Sequence, residues 1–135
     1  MLENRFWAVI YPSAIAFHRL ESATNELVIS ENIDGSSNNK AIEFCNPLSS
    51  AVKLSTESYV LQVYSNGATT AASSIALTES DQAERSFVLA HPSAATGILS
   101  KADQNSTSLT FNGDDAVILR KGSAIGTVAD SYGQV

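Results

Sequence analysis

The sequence predicts an all-β protein, a sandwich or barrel of about seven to nine short antiparallel strands. Three observations carry this. Runs of four to eight β-forming residues alternate between apolar and polar faces. Turn dipeptides separate them, among them Asp34-Gly35, Asn46-Pro47, Asn66-Gly67 and Asn112-Gly113. Only one stretch has a helical look, so the strand–helix alternation of a parallel sheet is missing, and no repeat at propeller or solenoid spacing stands out.

The elements follow in order from residue 26. "ELVISEN" (26–32) opens the series, with Leu27 and Ile29 on one face. "KAIEFCN" (40–46) sets Ile42 and Phe44 against Glu43 and Cys45, and Pro47 then breaks the run because it cannot donate to a ladder. "AVKL" (51–54) reads as a short strand. "SYVLQVYSNG" (58–67) alternates Tyr59, Leu61 and Val63 with Val60, Gln62 and Tyr64, then turns at Asn66-Gly67, both of which tolerate positive φ. "SSIAL" (73–77) and "RSFVLAH" (85–91) are further strands, the second with Phe87 and Leu89 on one face. "SAATGILSKADQ" (93–104) is the helical stretch, capped by Ser93 and kept short by Gly97. "SLTFNGDDAVILRKG" (108–122) reads as a hairpin about Asn112–Asp115, and "AIGTVADSYG" (124–133) as a last strand.

With 135 residues, 44% of them apolar and 16% charged, the chain suits one folded domain. Residues 1–25 differ from the rest. The apolar run from Phe6 to Phe17 is short of the roughly 20 residues that span a bilayer, yet it fits the h-region of a signal peptide. Arg5 precedes it, and Pro12 comes before the small-x-small pattern Ala14-Ile15-Ala16. The expectation is a leader over 1–25, read either as a signal peptide or as an extra strand or misplaced start, a domain over 26–135, no membrane span, and an extracellular or cell-surface location.

The net charge of −6 opposes a phosphate backbone at long range, so strong direct binding to nucleic acid is not expected. A single cysteine, Cys45, excludes an internal disulfide and reads as packing. Nucleophilic catalysis needs a base beside the nucleophile. The two histidines are His18, in the leader, and His91, at a strand end before Pro92, where capping is the commoner role. No nucleophile elbow, phosphate-cradling loop or zinc spacing is present, so no catalytic residue is assigned. Calcium is the one inorganic ligand whose oxygen donors cluster, through Glu31, Asp34, Asn38 and Asn39 and separately through Asp114 and Asp115, though without EF-hand spacing and in places where turns want the same residues.

Four blocks then stand out together: "LVISENIDGSSNNKAIEFCNP", "VLQVYSNG", "SFVLAHPSA" and "LTFNGDDAVILRKG". In this order, from about Leu27 to Val135, they resemble the bacterial branch of the lamin tail domain family. The resemblance implies an immunoglobulin-like β-sandwich without catalytic activity, an accessory module of secreted or surface proteins. In particular it is similar to the N-terminal module of large extracellular deoxyribonucleases, which carry a separate nuclease domain of the phosphoesterase type. Cys45 stands where the family usually has an aromatic residue. The last block stops at Val135, which implies a domain cut short at its C-terminus.

The function expected is therefore a non-catalytic interaction or accessory module whose partner is another protein or the remainder of a larger secreted protein. The alternatives are a structural spacer without a specific ligand and a small stand-alone hydrolase. Sandwiches bind through end loops or sheet edges. The binding candidates are the loop residues Asp34, Gly35, Ser36, Asn38 and Asn39, and Asn112, Asp114 and Asp115.

Overall fold

A computed structural model describes residues 26–78 and 86–133; the leader assigned to 1–25 lies outside them. Eight strands form among the described residues: β1 (Val28–Asp34), β2 (Lys40–Cys45), β3 (Val60–Tyr64), β4 (Ser73–Ala76), β5 (Ser86–Ala90), β6 (Gln104–Asn105), β7 (Ala116–Lys121) and β8 (Thr127–Tyr132). One short helix, α1 (Thr96–Leu99), lies between β5 and β6. The strands make two four-stranded sheets, ordered β1-β2-β5-β6 and β4-β3-β7-β8. Every pairing is antiparallel except β5 with β6. The result is an immunoglobulin-like sandwich.

Period-two alternation places the core. Leu27, Ile29, Ile42, Phe44, Tyr59, Leu61, Val63, Phe87, Leu89, Val117 and Leu119 meet between the sheets, and the Phe44 and Phe87 rings are tilted at a centroid separation of 6.2 Å. The opposite face of β2 and β5 is buried too. Ala41, Val88 and Ala90 lie under Ile98, Leu99 and Ala102 of the α1 crossover, so every residue of β2 is buried.

Three expectations are corrected. "AVKL" is not a strand: Val52 and Leu54 are buried anchors of an irregular connection that turns over 54–58. The hairpin over 108–122 does not form. Leu109 and Phe111 alternate with exposed Thr110 because they plug the core while crossing from one sheet to the other, and β7 pairs instead with β3 and β8. Alternation reports burial, and burial does not require a partner strand. The helix is four residues, with Ala95 and not Ser93 at its N-cap, and the run's last residue, Gln104, belongs to β6, which two residues without a pattern could not announce.

The sheet edges are blunted, as sandwiches require to avoid edge-to-edge pairing. On one side Gln104 clips the sheets: its Oε1 accepts from Thr78 N at 3.0 Å, and its Nε2 donates to Ala76 O at 2.9 Å. On the other, the Asp130 carboxylate of β8 accepts from Ile29 N of β1 at 2.8 Å. β1 and β8 each carry a bulge, at Ser30 and at Ala129, the latter opposite Leu119 and Arg120 of β7. The β7–β8 turn depends on Gly126, where an added Cβ would lie 2.0 Å from Lys121 O. Replacing Gly126 with alanine is expected to displace the turn and destabilise the domain by about 2 kcal/mol, read as a lower midpoint in denaturant with the β8 amides losing protection first.

Candidate functional site

The two ends of the sandwich carry different chemistry. At the end where β1, β3 and β5 finish, four connections gather: 35–39, 65–72, 91–95 and 106–115. Both sequence-assigned loops are here, and they touch. A Cβ on Gly113 would lie 3.9 Å from an Asp34 carboxylate oxygen.

The first loop is drawn tight by its own backbone. Gly35 N donates to Asn39 O at 2.9 Å, Lys40 N to Asn38 O at 2.7 Å, and Ser37 takes the left-handed conformation at φ 56°. Glycine is required at 35 because a Cβ there would meet the Asn39 Cβ at 2.8 Å. Lys40 then locks the loop from beneath. Its ammonium pairs with the Asp34 carboxylate, donates to Gly35 O at 2.8 Å, and sits 5.9 Å from the centroid of the Phe111 ring. Asn39 Oδ1 accepts from Ala95 N at 2.8 Å and ties the loop to the start of α1.

The second loop turns through an Asp115 N to Asn112 O bond of 2.8 Å. Asp115 itself is buried, with 6% exposed. Its Oδ1 accepts from Asn66 N at 2.8 Å, and its Oδ2 accepts from Asn112 N at 3.0 Å and from Ser65 Oγ at 3.4 Å. One carboxylate thus staples the β3–β4 turn to the 106–115 connection.

The assigned residues therefore divide into two sets. Asp34, Gly35, Asn39 and Asp115 hold the loops, Asp34 while itself exposed at the rim. Ser36, Asn38, Asn112 and Asp114 face solvent, joined by Asn66, Gly67, Thr69 and Thr70 of the β3–β4 turn, which sequence reasoning left out although Asn66-Gly67 marked the turn. The exposed surface is made of short amides, hydroxyls and backbone, with Asp114 and the Lys40-paired Asp34 as its carboxylates. Such side chains adapt their hydrogen bonding to a partner.

The calcium candidates are spread out. Glu31 lies in the middle of β1, opposite Glu43, while Asp34 faces Lys40 and Asp115 faces backbone amides. Among the described residues no group of three or more His, Cys, Asp or Glu side chains is placed to hold a metal ion. Addition of roughly millimolar calcium, the range of weak extracellular sites, is expected to leave the melting midpoint of the purified chain where it was, and a saturable rise would contradict this assignment of the carboxylates.

His91 caps its own turn: its Nδ1 accepts from Ser93 N at 3.1 Å, and its backbone N–H donates to Lys40 O at 2.9 Å. Cys45 is buried at the other end of β2.

The opposite end is charged. Lys121 Nζ lies 2.9 Å from Glu57 Oε2 and 3.1 Å from Glu26 Oε2, and 5.6 Å from the centroid of the Tyr59 ring. Tyr59 donates to Glu26 at 2.6 Å. Burial, reinforced by this bond, raises the Tyr59 phenol above its ordinary value. The hydrogen bond to Lys121 holds the Glu57 carboxyl below its usual range, against partial desolvation, with help from Lys53 N–H. Since the folded value is depressed, this contribution to stability is present above the unfolded glutamate pKa and is lost as pH falls through the folded one. Replacing Lys121 with methionine is expected to move the Glu57 titration, followed by carboxyl NMR, back toward the ordinary glutamate value. The stability cost at neutral pH should stay near that of a solvent-screened pair, about 1 kcal/mol or less.

The family model for the Lamin Tail Domain matches residues 21–135 of the chain. No curated protein sequence matches it significantly.

Proposed function

The chain belongs to the lamin tail domain family, and from that premise we propose that it is a non-catalytic accessory module of a secreted or surface protein that docks a protein partner through the 35–39, 65–72 and 106–115 loops. Lamin tail domains are immunoglobulin-like, non-catalytic modules of the protein-interaction kind. The observation that carries the reading is the division of labour at this end: Lys40, Asn39 and Asp115 fix the loops from inside, while Ser36, Asn38, Asn112 and Asp114 stay free to meet a surface. Fixed loops reduce the ordering cost of association, and the blunted sheet edges leave strand addition as the weaker route. No helix among the described residues is long and apolar enough to cross a membrane.

The leader composition supports export, and the four sequence blocks support a parent protein with an extracellular nuclease or phosphoesterase domain. The partner is then that domain or another exported protein. Photo-crosslinking residues placed singly at Asn38, Asn112, Ser55 and Ser123, in chain added to the secreted proteins of its source, test this. Adducts are expected from Asn38 and Asn112 and not from Ser55 or Ser123, which lie at the charged end. Adducts from the charged end alone would move the interface, and none from any site would favour a spacer. The purified chain with divalent metal is expected to leave DNA intact, and cleavage would overturn the non-catalytic reading.

A further inference from the structure

Asparagine occurs nine times in the chain, and only at Asn105-Ser106-Thr107 is it followed at the second position by a hydroxyl residue. This is the acceptor pattern for N-linked glycosylation, in which the hydroxyl of the third residue is part of what the transferase recognises. We infer that Asn105 is an acceptor for an N-linked glycan donated by a polyprenyl-pyrophosphate-linked oligosaccharide, an inference that rests on the export reading above.

The fold places the triplet where a glycan can be carried. Among the described residues β6 is the outermost strand of its sheet and pairs only with β5, with Asn105 opposite Ala90. Successive strand residues point to opposite faces. Gln104 points toward the second sheet, where its carboxamide makes the edge clip, and Asn105 points away from it. Asn105 and Thr107 are both exposed. The strand stops at Asn105, and the chain turns at once through a Leu109 N to Ser106 O bond of 3.3 Å. A glycan leaving from this position displaces no core side chain, and it adds cover to an edge that two residues protect thinly.

The chain is engaged in the folded protein at Ser106 and just before the triplet at Asp103. Asp103 N donates to Val88 O at 2.8 Å, Ser106 N to Ala90 O at 3.0 Å, and Val88 N to the Asp103 carboxylate at 2.8 Å. Transfer therefore precedes the docking of β6 on β5, while the chain is being translocated. A transferase that also demands a carboxylate two positions before the asparagine finds Asp103 there. In the reaction the Asn105 carboxamide nitrogen forms a bond to the anomeric carbon of the glycan. The bond from that carbon to the carrier's pyrophosphate oxygen breaks, the polyprenyl pyrophosphate leaves, and the amide proton passes to a base of the transferase.

The test expresses the full chain in a host whose secretory route contains an oligosaccharyltransferase, once with its own N-terminal residues and once behind a signal sequence of the host. N105Q, T107A and T107S are made alongside. Secreted wild type and T107S are expected to run slower than chain made in the cytosol. Peptide-N-glycosidase should remove the shift and convert the acceptor asparagine to aspartate, identified by peptide mass. N105Q and T107A should be secreted without the shift. Failure of the native leader to export the chain, with a glycan present on the signal-led form, would overturn the export reading and leave the acceptor site standing. Unmodified Asn105 in signal-led chain recovered from the medium would overturn the acceptor site, whatever the native leader does.

Discussion

Replacing Asp115 with alanine is expected to destabilise the domain by about 3 kcal/mol, since part-buried donors lose a charged acceptor and backbone amides are left without their partner. Three donors converge on this one side chain: Asn66 N, Asn112 N and Ser65 Oγ. The losses are not equal. Water can reach the exposed rim at Asn66 and Asn112, which holds the total below the sum of three fully buried bonds. Asp115→Asn keeps one acceptor oxygen and should recover about half of the loss. Chemical denaturation of the parent and the two variants measures this. The amide protons of Asn66 and Asn112 should exchange faster in the alanine variant even where the domain is folded. A silent Asp115→Ala would mean that the two loops are held by something other than this carboxylate.

The second large effect is expected at the centre of the core. Phe44 and Phe87 are completely buried, one on β2 and one on β5, and directly paired in the ladder. Truncating Phe87 to alanine removes the ring and leaves a cavity in the cluster that holds Phe44, Leu61 and Leu119, for an expected loss of about 3–5 kcal/mol. For a domain whose total stability is about 5–15 kcal/mol, that is enough to populate the unfolded chain at moderate temperature. Phe87→Leu should cost much less, because it preserves most of the volume. Equal effects of the two substitutions would show that the site does not pack as tightly as its complete burial indicates.

Tyr59, Leu61 and Val63 face inward as their alternation predicts, as do Ile42, Phe44, Phe87 and Leu89. Local periodicity is enough for these, because a strand half-buried between two sheets has little choice of face. The dipeptides Asn66-Gly67 and Asn112-Gly113 fall at turns and Asp34-Gly35 marks where β1 ends and its loop begins, where short side chains and glycine satisfy the backbone. The difference between Asp114 and Asp115 is not legible locally. The two are adjacent and chemically identical, yet one is exposed and the other bonds a residue 49 positions away. Lys40 reads as a polar strand end and is in fact the buried cation beneath the first loop, because Phe111 crosses over it from a segment that pairs with no strand among the described residues. The edge clips of Gln104 and Asp130 are hidden for the same reason. Each joins elements whose proximity is set by the sandwich as a whole.

The same distinction bears on function. The sequence proposes the 34–39 and 112–115 loops as binding residues, and the structure shows that several of their polar groups are already bonded to one another or to the frame. What is left for a partner is a smaller set, held on a scaffold that does not depend on it. A single chain carrying alanine at Ser36, Asn38, Asn112 and Asp114, with Asp34, Asn39, Lys40 and Asp115 intact, measures this most directly when its unfolding midpoint and its crosslinking to partner are read together, with the crosslinker at Asn66. Stability is expected to stay within about 1 kcal/mol of the parent, with loss of the adduct. Retention of the adduct, or a loss of stability as large as that of Asp115→Ala, would contradict this.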